Sequence, residues 1–423
     1  MAVIVRGGEV PSQSPIDAAS NQGAAGIRTV EFPDGSLSTD YLPAETLRVF
    51  AKTLDEAIRQ WRVALPAPAV VSDDFRIDGY IMRDESVFRA EALIDDRVPN
   101  FPYGYALADR FWLRAQPDEN YTRHLMLHEA FHSFVWHHFT SVGPHWIAEG
   151  MAEMYATHQV IEDEIRVGIV PSARDGFEQW GRFRKLQEMR RDDEVPTLST
   201  LFSLRPNLKG DIATYSASWL AVRLLRSRQS TRELMDQWIE SGFGGLSADQ
   251  VVEDLGDQWP VVNALWKLAI LEADFGETIT IKPPKLVLDL PPWDGSPTRH
   301  KVAANQSWYV VPFLFEPGAE LTVYARGEAI LANDPRPWMS QPPGITIRYH
   351  QGKPLGQLLA AWVPIDETDS ERSSGLLSVP VIQSVGQKKR LDAPEGLSWL
   401  LLRINDAAGE LGDNQGSYEV VLR

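Results

Sequence analysis

Two histidines four positions apart, with a glutamate beside the first, are the residues best placed to do chemistry in this chain: His128-Glu129-Ala130-Phe131-His132. Four residues is close to one helical turn. In a helix both imidazoles therefore leave one face and reach a single Zn²⁺, while Glu129 can face a water held by the metal. Chance gives such a pentapeptide in roughly one chain in a hundred of this size, so the context must carry the reading. Seventeen residues after His132 stands Glu149, inside Trp146-Ile147-Ala148-Glu149-Gly150-Met151-Ala152-Glu153. Gly143-Pro144 breaks the chain before it, so a second helix can fold back beside the first and deliver a carboxylate as third ligand. Three protein ligands leave the fourth position to water, as in catalytic rather than structural zinc sites. Glu153, one turn beyond Glu149, can hydrogen-bond the free ring nitrogen of a ligating histidine, His128, and fix its tautomer.

The elements that must position these groups follow from periodicity. Asp118 to Phe139 is the best helix in the chain, with Asp118 or Asn120 as cap and Leu127, Phe131, Phe134 and Val135 as one apolar stripe. A second helix is expected from His145 to Gln159, and others at Ala44–Leu65, Glu85–Ile94, Phe177–Arg190, Asp211–Arg228, Thr231–Ser241 and Pro260–Ala273. Strand-like runs cover Ile27–Phe32, Ala69–Met82 and Tyr105–Arg114. From Thr278 onward, short alternating runs separated by Pro, Gly, Asn and Asp read as an all-β sandwich. The expected architecture is α+β: an extended arm over residues 1–43, a mostly helical catalytic domain with a small sheet over 44–278, and a β-sandwich over 295–423.

The helix pair resembles the gluzincin peptidases, and more narrowly the bacterial Peptidase MA-like group, in which an H-E-x-x-H helix is followed by a Trp-x-x-Glu-Gly-x-Ala-Glu helix. The resemblance covers roughly residues 75 to 270 and extends to Tyr215-Ser216-Ala217-Ser218-Trp219, Leu224-Leu225, Leu255-Gly256 and Trp259. It implies a zincin-like fold, Glu149 as third zinc ligand, a protein or peptide substrate, and Tyr215 as the phenol that steadies the transition-state oxyanion; Tyr155 is its rival. The chemistry would be attack of a zinc-activated water on a peptide carbonyl, with Glu129 as general base and then proton donor to the leaving amine. His124 extends the stripe back one turn and is expected beside the site or exposed, since a fourth protein ligand would close the open position. His137, His138, His145 and His158 have no ligand spacing, although His145 lies one turn before Glu149.

Near the C-terminus, Leu402-Arg403-Ile404-Asn405-Asp406 and Gly412-Asp413-Asn414-Gln415-Gly416 read as a strand, an acidic loop and a second strand. Asp406, Asp413 and Asn414 gathered at one turn would offer the hard oxygen ligands that suit Ca²⁺, although the same residues also serve as plain turn formers. With Phe315-Glu316-Pro317-Gly318 before the strand Leu321 to Ala325, this spacing resembles the jelly-roll galactose-binding lectins of the PA-IL type over residues 298 to 423. That likeness implies calcium on Asp406, Asp413 and Asn414, with main-chain oxygens near Leu331 and Glu410, and a glycan partner. Asp413 stands where those lectins usually carry Asn.

Composition narrows the partners. A formal charge of −17, with no long basic run, repels nucleic acid and anionic membrane surfaces. The absence of cysteine excludes disulfides, zinc knuckles and thiol catalysis, so any metal is held by His and carboxylates. No stretch has the ~18 apolar residues of a membrane span, and Ala2 to Val5 is too short for a signal-peptide core. A lectin-like module with a calcium site points to export, periplasmic or extracellular. The competing function, from another class, is a carbohydrate- or protein-binding protein with a vestigial peptidase domain.

Overall fold

A computed structural model describes residues 21–22, 26–67, 75–139, 141–161, 164–174, 177, 180–205, 211–277, 279–333 and 336–423. By contacts the chain divides into two compact units: 1–170, 176–181 and 202–251, and 171–175, 182–201 and 252–423. The architecture mixes helices with several sheets and is rich in strands towards the C-terminus. Among the described residues no helix is long and apolar enough to cross a membrane.

The first unit is built on a six-stranded sheet, in the order Asn21–Gln22, Arg28–Phe32, Gly35–Thr39, Ile77–Met82, Arg110–Arg114 and Gly104–Leu107. The three strands Gly35–Thr39, Ile77–Met82 and Arg110–Arg114 run parallel, and Gly104–Leu107 closes one edge antiparallel to its neighbour. The arm expected to residue 43 lies outside the described residues over 1–20 and 23–25. From Arg28 to Thr39 it is instead a strand pair of the sheet. Gly35–Thr39 is buried at every position, so its Gly, Ser and Thr carry no alternation to betray a strand. The strand expected over Tyr105–Arg114 is a hairpin turned at Ala108 and Asp109, with Ala108 at φ +52°.

Helix Ala44–Ala64 covers the sheet through Leu47, Phe50, Leu54, Ile58 and Trp61, all fully buried. Each such side chain contributes roughly 1.5–3 kcal/mol, against under about 1 kcal/mol for an exposed pair such as Arg48–Glu45. The apolar stripe therefore decides where the helix lies. Helix Glu119–Phe139 packs on the same sheet and on helix Ala44–Ala64, with Trp61 edge-on to Phe131 at 5.2 Å. Asp118 caps it, its Oδ1 accepting from the Tyr121 amide at 2.9 Å.

Among the described residues the second unit holds two larger antiparallel sheets and a two-stranded one, Ile345–His350 with Lys353–Leu355. One orders Tyr309–Phe315, Ser398–Ile404, Leu358–Pro364 and Gln383–Ser384; the other orders Met339–Ser340, Glu320–Ile330, Gln415–Leu422 and Thr298–Ala303, with Lys388–Asp392 also on Glu320–Ile330. One apolar core draws on both, including Leu400, Leu402 and Ile404 from one and Val323, Tyr418 and Val420 from the other. The alternate residues Trp399, Leu401 and Arg403 are buried too. Helices Arg182–Arg191 and Trp259–Leu271 group with this unit. Buried polar contacts tie them there: Lys267 to Glu371 at 3.0 Å, Trp266 Nε1 to the Pro196 carbonyl, and Arg403 to Glu272.

Candidate metal centre

Helix Glu119–Phe139 and helix His145–Ala156 lie side by side, and a third helix, Ile212–Ser227, packs along the second. Gly150 explains how closely: a Cβ there would stand 2.4 Å from the Ser218 carbonyl oxygen. The glycine following Glu149 is thus what lets the Glu149 helix approach the helix carrying Tyr215. Trp146 anchors the other side, fully buried with its ring 4.3 Å from that of Phe202.

This packing brings His128, His132 and Glu149 together, with one ligand atom from each within 4.8 Å of the others. His128 Nε2 lies 3.2 Å from His132 Nε2 and 3.2 Å from Glu149 Oε2, and His132 Nε2 is 3.6 Å from the same oxygen. Zinc bonds of about 2.0–2.2 Å at tetrahedral angles put two ligands about 3.4 Å apart. The observed triangle has that edge. Glu149 Oε2 is buried without a hydrogen-bond partner, while His128 Nε2 and His132 Nε2 lie within hydrogen-bonding distance of each other. The donor set, two imidazoles and a carboxylate, is one that zinc takes readily, and the residues fit that ion.

The electrostatics point the same way. Burial disfavours a charged His128, but Glu149 and Glu153 outweigh it, and its pKa is pushed up to about 10. Burial alone would raise Glu149; the charge and close approach of His132 and His128 instead hold it well below the usual carboxylate range. Burial pushes the Glu129 carboxyl up, against the pull of His128 and His132. A pocket lined by three carboxylates favours positive charge at its centre, as proton or as cation.

The other sequence-predicted residues are also located. Glu153, almost fully buried, sets Oε1 3.3 Å from His128 Nδ1, close enough for an ion pair but without hydrogen-bond geometry. Tyr215, half-buried in the first turn of its helix, has its ring 6.0 Å from that of His128. Asp211 caps this helix through the Ala213 amide. Tyr155, the rival, stacks on Phe131 at 4.9 Å in the core. His145 Nδ1 is 3.6 Å from Glu149 Oε1. His138 stacks on Phe134, and His137 meets Asp109 at 3.1 Å.

No family model matches this chain. No curated protein is similar to it. Among solved structures it is similar to one described as "EclA N-terminal domain; PllA-like lectin", at 21% identity over 29% of this chain and 92% of that one, with a TM-score of 0.21. A likeness so slight defines neither fold nor ligand.

One residue at the centre escaped sequence reasoning. Gly104, on the edge strand, lies directly against Glu129: a Cβ there would stand 2.4 Å from its Oε1. Only its place between Tyr103 and Tyr105 in an otherwise bulky strand signals a close approach. His124, expected beside the site or exposed, is buried against Glu153 at 3.3 Å.

In the second unit, Asp406 and Asn414 are buried neighbours, Asn414 Nδ2 donating to Asp406 Oδ2 at 2.9 Å and to the Ala304 carbonyl at 3.2 Å. Asp406 Oδ1 accepts from the Ala407 amide at 2.7 Å. Asn414 Oδ1 is buried without a partner. Asp413, the third expected ligand, is exposed at the end of a short 3₁₀ turn, Ala408–Asp413.

Proposed function

We propose that this protein is a zinc-dependent peptidase of the gluzincin type, with a zincin-like first unit. His128, His132 and Glu149 hold the metal, and Glu129 is the general base. The observation that carries the reading is the triangle of 3.2, 3.2 and 3.6 Å between three ligand atoms, one of them a buried carboxylate oxygen without a hydrogen bond. When bound, zinc supplies a Lewis acid and lowers the pKa of its water towards ~7. Glu129 accepts the proton of the attacking water and returns it to the departing amine, for which a carboxyl already raised by burial is suited. The Tyr215 hydroxyl donates to the carbonyl oxygen of the substrate as charge develops there, an interaction that favours the transition state over the bound substrate. Glu153 orients His128.

The test is Glu129→Gln. Zinc content by elemental analysis stays that of the wild type, while casein hydrolysis falls by about 10²–10⁴-fold, the range for a general base. Undiminished hydrolysis would remove the assignment. The second unit we read as a lectin-like jelly roll that binds calcium near Asp406 and Asn414 and docks the exported enzyme on glycan; a glycan array tests it.

A further inference from the structure

Trp136 is the one tryptophan among the described residues that stands exposed, at 45%. It does so on helix Glu119–Phe139, whose leucines, phenylalanines, methionine and valine are all buried. Packing therefore does not account for it. Four residues separate it from His132 and seven from Glu129. At 3.6 residues per turn those spacings change the direction by only about 40° and 20°, so the three positions share one face of the helix. Trp136 lies about 6 Å further along the axis than His132 and about 10 Å beyond Glu129. The Cα–Cβ bonds of a helix tilt towards its N-terminus, which here is towards the candidate ligands.

The strand beside this face leaves room along it. A Cβ on Gly104 would meet Glu129 Oε1 at 2.4 Å, so position 104 of the edge strand Gly104–Leu107 faces the helix. Side chains alternate along a strand, and Ala106 therefore faces the same way. Tyr105 and Leu107 pack instead into the apolar cluster around Tyr80 and Trp112. Both helix-facing positions thus carry the smallest of side chains, and both are half-buried. The strand is also the last of its sheet. What results is an open strip that starts at Glu129, is bordered by Gly104 and Ala106, and carries an exposed indole further along its helical face.

We propose that Trp136 is a specificity-determining residue: it forms one wall of a subsite that takes a large apolar side chain, aromatic above all, of an extended peptide substrate. The inference rests on the zinc peptidase reading and deepens it by naming the side-chain class that the cleft selects. An extended chain advances about 3.3 Å per residue, so the ~6–10 Å from the catalytic positions to Trp136 sets that side chain two or three residues from the scissile bond. An indole face offers an aromatic partner offset stacking and a broad apolar contact. A small or acidic side chain finds neither.

The experiment digests casein with the full-length wild type, Trp136→Phe, Trp136→Ala and Trp136→Lys, reads the cleaved bonds by mass spectrometry, and measures the zinc content of each protein. Wild-type sites are expected to be enriched in Phe, Tyr, Trp or Leu at one position, two or three residues from the cut. Trp136→Phe keeps that preference. For a pair of peptides differing only there, Phe against Ala, the ratio of kcat/KM values falls about tenfold in Trp136→Ala, the lower end of what one apolar contact supplies. Trp136→Lys moves the preference towards Asp and Glu. Equal zinc in all four proteins separates loss of a subsite from damage to the metal centre. Unchanged enrichment in Trp136→Ala, zinc loss in that variant, or a wild-type preference at that position for anything but large apolar residues overturns the inference. A wild type that binds zinc and leaves casein intact overturns the peptidase reading instead.

Discussion

Glu149 and Asp406 are carboxylates drawn out of water in the two units, and they are driven in opposite directions. Burial pushes both upward. At Glu149 the histidines supply opposite charge and win, holding the group ionised. At Asp406 the partners are the Asn414 amide and the Ala407 N–H, neutral donors that offset burial only in part, and the carboxyl stays raised. The first carboxylate sits among His128 and His132, whose nitrogens lie 3.2 and 3.6 Å from it. The second sits in a loop whose negative charge is under-compensated and whose third expected ligand, Asp413, points outward. Convergence of ligand atoms, more than the mere presence of buried acid, separates a metal centre from an acidic turn.

The comparison breaks most plainly at the metal itself. His132→Ala is expected to lose zinc from one equivalent to a trace, while Asp406→Ala retains it, both read by elemental analysis of the full chain. Equal zinc in the two variants would mean that the triangle does not hold the ion. Tyr215→Phe sharpens the first region next. Removing one oxyanion donor lowers turnover by about 10²–10³-fold, with KM and zinc content little changed, because the phenol acts on charge that appears only during reaction. A rise in KM alone would make Tyr215 a binding residue instead.

Gly104→Ala has a smaller but diagnostic effect. A methyl group at 2.4 Å from Glu129 Oε1 cannot be accommodated without moving the edge strand or the carboxylate. Displacing a catalytic group by about 1 Å reduces rate roughly 10²-fold, so kcat should fall to near that extent while zinc stays bound. Wild-type turnover in this variant would show that Glu129 has room to spare and needs no backbone-only neighbour.

The helices were legible because each carries its own period and punctuation. Asp118, Asp211 and Gly143-Pro144 set starts within a residue of those observed, and Leu47, Phe50, Leu54, Ile58 and Trp61 mark a buried face at spacings of three and four. The meeting of His128, His132 and Glu149 was legible for the same reason, since helix geometry converts spacing into direction. What stayed hidden depends on contacts between segments distant in sequence. Gly35–Thr39 is a strand because neighbours bury both its faces, and Gly104 matters because Glu129 arrives from another element. The loop between Asp406 and Asn414 shows the opposite failure: three oxygen-bearing residues close in sequence, one of which the 3₁₀ turn directs to solvent.

The smallest expected effect tests the second region, and its sign follows from the direction of the Asp406 shift. An unfolded aspartate titrates near 3.9. Between that value and the raised native one, the folded chain holds a proton that the unfolded chain has released, so stability falls as pH rises through the window. Above it the deficit persists at full size. Asp406→Asn removes that deficit and keeps an acceptor for the Ala407 amide, so with a chelator present at pH 7 its Tm should equal or exceed that of the wild type by a few degrees, about 2–4 °C per kcal/mol for a domain of this size. Calcium reverses the order if it binds here, because a cation favours the ionised carboxylate: the wild type gains Tm with added Ca²⁺ and Asp406→Asn does not. If the two proteins respond alike to a calcium titration, the loop is a turn closed by Asn414, and the convergence of ligand atoms seen around Glu149 has no counterpart at Asp406.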